Sequence, residues 1–259
     1  MTARIEAESV SDELIALTRR LGEPARDLVI LAEGNTSELI NDTTISVKAS
    51  GSSMAEATRD DFVTIDLEPL LQILQDPNAG QDALTAALTA TKADGGTVRA
   101  SIETLVHVAV RAFAPAKFVV HTHPTDVVSL LASAEAETSF ADPVYSEEFM
   151  ILGHSLYVPY AEPGIVLGRV FLDYLGKYVE EFSETPSLVL LGNHGIVVIS
   201  DSAAGAEAIS LMAVKSARVR LGARLAGGVA PLSAETTAHY FDRPDFRERR
   251  ASLAGTGKA

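Results

Sequence analysis

Three histidines in two short motifs have the type and spacing needed to hold a metal ion. His121 and His123 lie in the segment VVHTHP at 119–124, and His194 lies in LGNHGI at 191–196. Residues i and i+2 of a strand face the same side, about 6–7 Å apart at the backbone, so two imidazoles can converge on one ion. A third imidazole completes a three-nitrogen zinc site with an open position for substrate, so we predict that all three bind zinc. Imidazole also binds other divalent metals. His194 could alternatively be a turn residue whose ring donates a hydrogen bond to a backbone carbonyl.

Glu103 is the candidate for proton transfer beside such a metal. It lies 18 residues before His121, in the first turn of a predicted helix, where the helix dipole favours its ionised form. A carboxylate near a metal-bound carbonyl can take a proton from the adjacent carbon. An acidic residue in a first helical turn is also favourable without any catalysis. His107 lies on the same helical face, and we interpret it as a packing partner behind the site; Glu103 and His107 as extra metal ligands remain an open alternative.

Small polar residues are concentrated in two short segments, GNTS at 34–37 and SGSS at 50–53. Backbone amides and hydroxyl groups in such loops, together with a serine at a helix start, can cradle an oxyanion. Lys48 precedes the second loop and can supply the positive charge that an anion requires. Each feature taken alone is compatible with an ordinary turn or an exposed lysine. The candidate substrate- or phosphate-binding residues are Asn35, Thr36, Lys48, Ser50, Gly51 and Ser101.

A mixture of helices and strands must position these residues. Helical apolar spacing predicts helices, and short apolar runs beside turn residues predict strands. The predicted helices are 11–21, 101–113 with Ser101 as N-cap, 124–131, 165–180 and a long one from Asp201 or Ser202 to 225. The predicted strands are 38–40, 44–47, 62–67, 117–122, part of 150–159, 188–191 and 196–200. Hairpins, a buried sheet and four or more helices indicate a layered α/β fold, in one domain over 1–259.

The composition of the chain limits its partners. It has 259 residues, a formal net charge of −14, a pI near 4.8 and no cysteine. The negative charge argues against nucleic acid as the main partner, and no apolar run approaches the roughly 20 residues that span a bilayer. We therefore expect a cytoplasmic protein that acts on a small molecule, with no membrane partner. The Arg- and Glu-rich tail 242–250 is expected to be a solvated end or to pack on a neighbouring subunit.

The order of the motifs resembles the class II aldolase/adducin family. The series covers residues 28–199, and no single piece of it is specific by itself. The segments that carry the resemblance are GNTS at 34–37, SG at 50–51, SIE at 101–103 with His107, HTHP at 121–124 and NHG at 193–195. This resemblance implies a three-layer αβα sandwich around a mainly antiparallel mixed sheet. It also implies a homo-oligomer, often a cyclic tetramer, with active sites at subunit interfaces.

The resemblance also implies roles for individual residues. The family's zinc ligands fall on His121, His123 and His194, and its catalytic glutamate falls on Glu103. Its phosphate-binding positions fall on Asn35, Ser50, Gly51 and Ser101. Aldolases of the fuculose type have a second serine where this chain has Ile102, and they lack an equivalent of Lys48. The motifs KASG at 48–51 and SIET at 101–104 resemble the aldolase module of rhamnulose-phosphate-type bifunctional proteins more closely than the fuculose type.

The expected function is a zinc-dependent aldolase that cleaves a ketose 1-phosphate or a related sugar acid through a metal-stabilised enediolate. Glu103 would protonate this species, and in the condensation direction it would remove the same proton. The first alternative is a decarboxylase, epimerase or dehydratase of sugar phosphates, because each uses a metal-stabilised enolate or a reversible aldol split on the same scaffold. The second alternative is a non-catalytic, adducin-like interaction domain.

Overall fold

The computed structural model describes residues 2–245 and Glu248. Its central sheet contains eight strands, and two further strands form a small separate hairpin. The strands are β1 (Ala3–Arg4), β2 (Asn35–Asn41), β3 (Thr44–Lys48), β4 (Phe62–Asp66), β5 (Thr89–Thr91), β6 (Thr97–Arg99), β7 (Phe118–Thr122), β8 (Leu156–Val158), β9 (Leu188–Leu191) and β10 (Gly195–Ser200).

The order of the strands across the large sheet is β1-β4-β3-β2-β7-β10-β9-β8. Every neighbouring pair of this described sheet is antiparallel except β8 and β9, which run parallel. The prediction of a mainly antiparallel mixed sheet is therefore confirmed. Strand β7 lies in the middle, between β2 and β10, so its backbone is hydrogen-bonded on both sides.

Helices cover both faces of the sheet. The helices are α1 (Asp12–Leu21), α2 (Leu67–Gln75), α3 (Gln81–Leu88), α4 (Thr104–Arg111), α5 (Thr125–Leu131), α6 (Ser146–Leu152), α7 (Ile165–Phe182), α8 (Ala203–Leu225) and α9 (Ala234–Phe241). One hydrophobic core joins the sheet to α2, α3, α4 and α7, and the other joins it to α1, α5, α6 and α8. This arrangement confirms the predicted three-layer αβα sandwich.

The sequence of β7 reflects its central place. Its side chains alternate between the two cores: Phe118 and Val120 pack on the α1, α5 and α8 side, and Val119 packs on the α4 and α7 side. A strand that is covered on both faces is apolar at successive positions rather than at alternate ones. His121 follows on the same face as Val119, because strand side chains repeat every second residue. The histidine motif therefore begins inside the α4 side of the molecule.

Most of the predicted elements are confirmed. The helix predicted at 11–21 is α1, and Ser11 caps it by accepting a hydrogen bond from the backbone N–H of Leu14. The hairpin around Asn41 is β2–β3, and the strands at 188–191 and 196–200 are β9 and β10. The long helix after 200 is α8, and its cap is Ser202, which accepts from the N–H of Gly205. In each case the spacing of the apolar residues and a turn or cap residue predicted the same element.

The start of the helix predicted at 101–113 is wrong. Helix α4 begins at Thr104, with Glu103 at its N-cap position, and Ser101 does not cap it. The reason is that the chain before it continues the edge of β3: Ala100 bridges Ala49, and the N–H of Ser101 donates to the carbonyl of Lys48 at 3.2 Å. Residues 102 and 103 then form a turn, in which the N–H of Thr104 donates to the carbonyl of Ser101 at 3.0 Å, before the α-helix begins.

Two other segments differ from the prediction. The apolar residues at 150–152 end helix α6, and only 156–158 form a strand, β8. A short apolar run does not distinguish a buried helix from a buried strand, and Gly153, with φ of +64°, separates the two elements. The segment 67–99, largely unassigned in sequence, forms α2, α3 and the β5–β6 hairpin.

Two predictions about the whole chain are not tested. The single domain over 1–259 stays a prediction, and the tail predicted at 242–250 lies partly outside the described residues. Among the residues that the structure describes, no helix has the length and apolar character needed to cross a membrane.

Candidate metal centre

Three adjacent strands bring the site together at one level of the sheet. Asn35 of β2 is the direct cross-strand partner of His121 of β7, and Val197 of β10 is its partner on the other side. Directly paired residues point to the same face of a sheet. The centre of the sheet therefore presents Asn35 and His121 side by side toward helix α4.

The three histidine rings converge as the spacing predicts. The ring centroids of His121 and His123 are 4.6 Å apart, those of His121 and His194 are 4.8 Å apart, and those of His123 and His194 are 5.0 Å apart. His194 reaches the group from the turn between β9 and β10. Asn193 supports this turn by adopting φ of +53°, a conformation that asparagine tolerates better than most residues.

Gly195 leaves space for the third ring. A Cβ atom at this position would lie 2.4 Å from the carbonyl oxygen of Thr122 and 2.6 Å from Cδ2 of His123. Both distances are shorter than a non-bonded contact allows, and a backbone carbonyl cannot rotate away. The glycine that follows His194 in the motif is therefore required for β10 to approach the β7 histidines.

Glu103 lies between two of the imidazoles. Its Oε1 is 2.9 Å from Nε2 of His194, and its Oε2 is 3.2 Å from Nε2 of His121. Burial favours the neutral form of this carboxyl group, but the charges and hydrogen bonds of His121 and His194 outweigh it and lower the pKa of Glu103 well below its usual range. The structure therefore holds Glu103 as a carboxylate at the centre of the cluster.

The cluster fits a divalent metal ion. One ligand atom from each of Glu103, His121, His123 and His194 lies within 4.8 Å of the others. Burial lowers the pKa of His121, but the charge and the hydrogen bond of Glu103 outweigh it and raise this pKa. Nδ1 of His121 donates to the carbonyl oxygen of Ile196 at 2.9 Å, so Nε2 is the nitrogen that would bind a metal. Nε2 of His123 faces that same atom at 2.8 Å. Two imidazole nitrogens this close require a shared proton or a cation between them, and three imidazoles with a carboxylate suit zinc.

The outer nitrogens of the other two rings have different surroundings. Nδ1 of His123 is 3.5 Å from a carboxylate oxygen of Glu33, which also accepts a hydrogen bond from the backbone N–H of Ile30. Burial, followed by the nearby His121 and His194, lowers the pKa of His123 to about 3. Nδ1 of His194 has no hydrogen-bond partner within the described part of the chain. His123 therefore stays neutral at ordinary pH, as a metal ligand must.

A network of polar side chains supports Glu103 from behind. The Asn35 amide donates from Nδ2 to Oε2 of Glu103 at 2.8 Å and to Oγ of Ser101 at 2.9 Å. Its Oδ1 lies 2.5 Å from Nε2 of His107, whose Nδ1 lies 2.7 Å from Oγ of Ser37. The interpretation of His107 as a partner behind the site agrees with these contacts. Ser37 carried no role in the sequence prediction, although its place two residues after Asn35 put both on one face.

Lys48 is buried rather than exposed. Only 1% of it is accessible to solvent, and its Nζ donates to the carbonyl of Ala49 at 3.1 Å. Burial lowers the pKa of Lys48 to about 8, although the charges of Asp61 and Glu103 act in the opposite direction. A cation with this pKa near Glu103 can bind an anion or give up its proton close to neutral pH.

The remaining candidates for anion binding lie at two different places. Ser50 and Gly51 are exposed, and Gly51 has φ of +84° with open space around its Cα atom. The side chain of Thr36 does not reach the cluster, because it points to the opposite face of β2 and its Oγ1 lies 2.6 Å from Oγ1 of Thr18. Strand alternation places Asn35 and Ser37 on the site face and Thr36 behind it.

The cluster opens into a cleft beside His123 and His194. This cleft has a volume of about 440 Å³, and the lining includes Asp27, Ile30, Glu33 and Thr125. On the other side of the loop 28–33 lies a second cleft of about 520 Å³ that reaches Gly51 and Ser53. A small molecule can therefore approach the imidazole nitrogens of His123 and His194 from solvent while Glu103 stays largely buried.

The fold and the site together define a family. The family model for the class II aldolase and adducin N-terminal domain matches residues 12–221, which includes the whole cluster and its supporting network. The chain belongs to the class II aldolase and adducin family. The resemblance of the ordered motifs is thereby confirmed.

Solved structures of the family have the same fold. YgbL of Escherichia coli, whose description leaves aldolase, epimerase and decarboxylase open, superimposes with a TM-score of 0.65 over 90% of this chain and 98% of its own, at 21% identity. The L-fuculose-1-phosphate aldolase of Thermus thermophilus gives a TM-score of 0.60 over 86% and 100%, at 20% identity. The class II aldolase domain of a Thermoplasma acidophilum protein gives 0.61 over 81% and 92%, at 22% identity. At these identities the likeness establishes the fold.

A curated relative shares only part of its length with this chain. The uncharacterised oxidoreductase YuxG of Bacillus subtilis (strain 168) is 28% identical over 151 residues, which is 58% of this chain and 20% of YuxG. The chain thus matches about a fifth of that relative. The oxidoreductase name describes a protein that is mostly outside the match.

Proposed function

We propose that the protein is a metal-dependent lyase, a zinc aldolase that reversibly cleaves a ketose 1-phosphate or a related sugar acid. The observation that carries this proposal is the contact of one carboxylate, Glu103, with Nε2 of both His121 and His194. A purely structural ion pair does not need a third imidazole, yet His123 joins the same cluster. Family membership supports the proposal, because the family includes sugar-phosphate aldolases such as the Thermus enzyme.

The zinc ligands in this proposal are His121, His123 and His194. When bound, the ion supplies a positive charge that stabilises the negative charge developing on the carbonyl oxygen of the substrate. Another divalent metal can satisfy the same ligands. Glu103 then moves the proton at the carbon beside that carbonyl, as general base in condensation and general acid in cleavage.

The anion of the substrate would be bound on the Lys48 side of Glu103. Ser101 accepts hydrogen bonds from Asn35 and from the N–H of Glu103, so its own hydroxyl proton is free to donate to an anion. Further donors are the backbone N–H groups of the exposed residues Ser50 and Gly51 and the ammonium of Lys48. Asn35 can contribute only by exchanging its bond to Ser101, because its other amide proton is directed to Glu103. We propose no side-chain role for Thr36.

The test is a substrate screen with the purified chain. Phosphorylated and free ketoses are incubated with apoprotein, with zinc-loaded protein and with zinc-loaded protein plus a chelator. We expect aldehyde and a three-carbon ketone fragment from a ketose phosphate, only in the zinc-loaded sample, with activity restored when zinc is returned. Cleavage that continues at the full rate in the chelated sample would contradict the proposal.

A decarboxylase or epimerase is the second candidate. The structural likeness to YgbL, whose description includes both reactions, supports this alternative, and so does Lys48, since a buried ammonium pairs with a carboxylate as readily as with a phosphate. A dehydratase would use the same groups. Product analysis separates the candidates: carbon dioxide indicates decarboxylation, an isomer of unchanged mass indicates epimerisation, and loss of water indicates dehydration.

A non-catalytic, adducin-like role requires no metal. It predicts that the purified protein binds zinc no better than a variant without the histidine cluster. The intact set of three histidines and Glu103 argues against this role. Elemental analysis and zinc titration of the same preparation decide the matter before any substrate is known.

We also propose a homo-oligomer, of which a tetramer is the expected form. Ile30 and Leu31 are 61% and 86% exposed, and Ile30 forms part of the wall of the cleft at the metal centre. Exposed apolar side chains beside a site are typical of a surface that meets another protein. Sedimentation analysis of the wild type and of Leu31→Lys tests this: the variant should dissociate further.

A further inference from the structure

We infer that His107 is a positioning residue that holds the amide of Asn35 with its NH₂ group toward Glu103. His107 is fully buried on α4 and lies outside the cluster that could bind a metal. It touches Glu103 only through Asn35. The role of His107 in catalysis rests on the proposed function. The direction of the hydrogen bonds from Ser37 to Glu103 does not depend on the substrate.

The direction of the chain follows from its last member. An ionised carboxylate only accepts hydrogen bonds, so the atom of Asn35 that lies 2.8 Å from Glu103 must be Nδ2. The other end of the amide, Oδ1, is then an acceptor, and Nε2 of His107 must donate to it. A neutral imidazole with its proton on Nε2 has a lone pair on Nδ1. Ser37 therefore donates from Oγ to Nδ1 across 2.7 Å.

The neutral state of His107 agrees with its surroundings. Burial, followed by the positive charge of Arg111, lowers the pKa of His107 well below its usual range. The hydrogen bonds from Ser37 through His107 and Asn35 thus all donate toward Glu103, and none donates back. If the amide of Asn35 turned over, Oδ1 would face the Glu103 carboxylate and Nδ2 would face an imidazole N–H. Both contacts would be repulsive, so the chain permits one arrangement.

This arrangement has a consequence for Glu103. Its Oε2 accepts a hydrogen bond from Asn35 on one side and faces Nε2 of His121 on the other. These two contacts fix the plane of the carboxylate. Without a donor at position 107, Oδ1 of Asn35 is left unpaired in the interior, and only the bonds from Nδ2 to Glu103 and Ser101 still hold the amide. Groups that orient a metal-site residue in this way typically change affinity or activity by about 10- to 100-fold when removed.

The experiment compares two substitutions at one position. His107→Leu removes the donor, and His107→Gln retains a side-chain N–H that can reach Asn35. We expect zinc affinity, measured by competition with a chelating dye, to fall about 10-fold or more in His107→Leu and to recover in His107→Gln. With a substrate in hand, kcat should follow the same order while KM stays within about 2-fold, since His107 does not touch the substrate. Equal losses in both variants, or no loss in His107→Leu, would overturn the inference.

A second measurement needs no substitution of a buried histidine in the test sample. ¹⁵N NMR of the protein labelled at histidine reports which ring nitrogen carries the proton. The His107 signal, identified by its absence in His107→Gln, should be that of a neutral ring protonated at Nε2. A proton on Nδ1 would overturn the inference. Sugar phosphates that are not turned over, combined with the expected NMR and zinc results, would reject the proposed aldolase and leave the positioning role intact.

Two serines provide a matched control for stability. Ser37→Ala removes the hydroxyl that donates to His107, whereas Ser46→Ala removes an equally buried hydroxyl on the neighbouring strand β3 that has no hydrogen-bond partner among the described residues. We expect only Ser37→Ala to shift the ¹⁵N signals of His107. The same shift in Ser46→Ala would show that a general loosening of the sheet is responsible, and this would count against the inference.

Discussion

Asn35 and His121 are paired directly across strands β2 and β7, and both lie against the same carboxylate. Asn35 donates to Oε2 of Glu103 at 2.8 Å, and Nε2 of His121 is 3.2 Å from that oxygen. The backbone register of the sheet therefore sets the distance between a residue that supports the carboxylate and a residue that would bind the metal. A helix, α4, supplies the carboxylate from above at its N-cap.

Glu103→Gln should remove proton transfer while the fold is retained. The substitution keeps the shape of the side chain but removes the base, so we expect kcat to fall about 10²- to 10⁴-fold. Steady-state kinetics at saturating zinc measure the effect. Glu184→Gln is the matched control, because this exposed carboxylate lies outside the lining of the cleft and outside the cluster. A wild-type kcat in Glu103→Gln would reject Glu103 as the catalytic residue.

Each of the three clustered histidines should be necessary for metal binding. Removing a direct ligand must cost at least as much as removing an orienting group, so His121→Ala, His123→Ala and His194→Ala should each weaken zinc binding by more than about 100-fold. Elemental analysis after dialysis against a dilute chelator gives the measurement. His154→Ala, at an exposed position distant in sequence from the motifs, should keep full zinc content. Retention of zinc by all three cluster variants would place the metal elsewhere.

Lys48 should make stability depend on pH in a defined window. Burial lowers the pKa of Lys48 from 10.5 to about 8, so between these values the unfolded chain binds more protons than the folded protein. Stability must then rise as pH increases through the window, because the cost of burying the charge disappears. We expect the free energy of unfolding of Lys48→Met to exceed that of the wild type by at most about 3 kcal/mol below pH 8, and this advantage to vanish toward pH 10.5.

Denaturant titrations at several pH values measure this difference. Lys92→Met, at an exposed position, serves as the control and should show no such trend. An advantage of Lys48→Met that is constant with pH would mean that Lys48 does not change its charge in the folded protein over this range.

Two arginines on α8 should contribute very differently to stability. Arg220 is buried and pairs with Glu148 at 2.5 Å, whereas Arg218 pairs with Asp126 at the same distance but is largely exposed. Removing one member of a buried pair leaves an uncompensated charge and costs about 3–5 kcal/mol. An exposed pair contributes about 0–1 kcal/mol. Urea unfolding of Arg220→Ala and Arg218→Ala should show this contrast, and equal losses would contradict it.

The parts of the fold that could be predicted are those where a local signal and burial agree. The β9–β10 hairpin was predictable because apolar runs flank GNHG, and α8 was predictable because Ser202 caps a long Ala-rich helix. The approach of His121 to His123 followed from the two-residue period of a strand. The sequence motifs also pointed to His194 and Glu103, the family resemblance implied the same roles for them, and the structure brings all four residues together.

The parts that could not be predicted depend on contacts between distant segments. A bridge between Ala49 and Ala100 and a turn at residues 102–103 precede α4, and nothing near Ser101 in the sequence indicates the bridge. The burial of Lys48 requires knowledge of what covers the end of β3. The bond between Asn35 and His107 joins residues 72 apart in the chain. Such contacts are decided by tertiary packing, which outweighs local preference.

The direct pairing of β2, β7 and β10 would link correct folding to binding of the proposed metal. A slip of one residue between any two of these strands would turn its side chains to the opposite face, and the imidazoles would no longer meet. Only chains with the native alignment would then retain the proposed divalent ion, and its binding would stabilise that alignment by mass action. Availability of the metal during synthesis should therefore influence how much correctly assembled protein a cell accumulates, in addition to how active each molecule is.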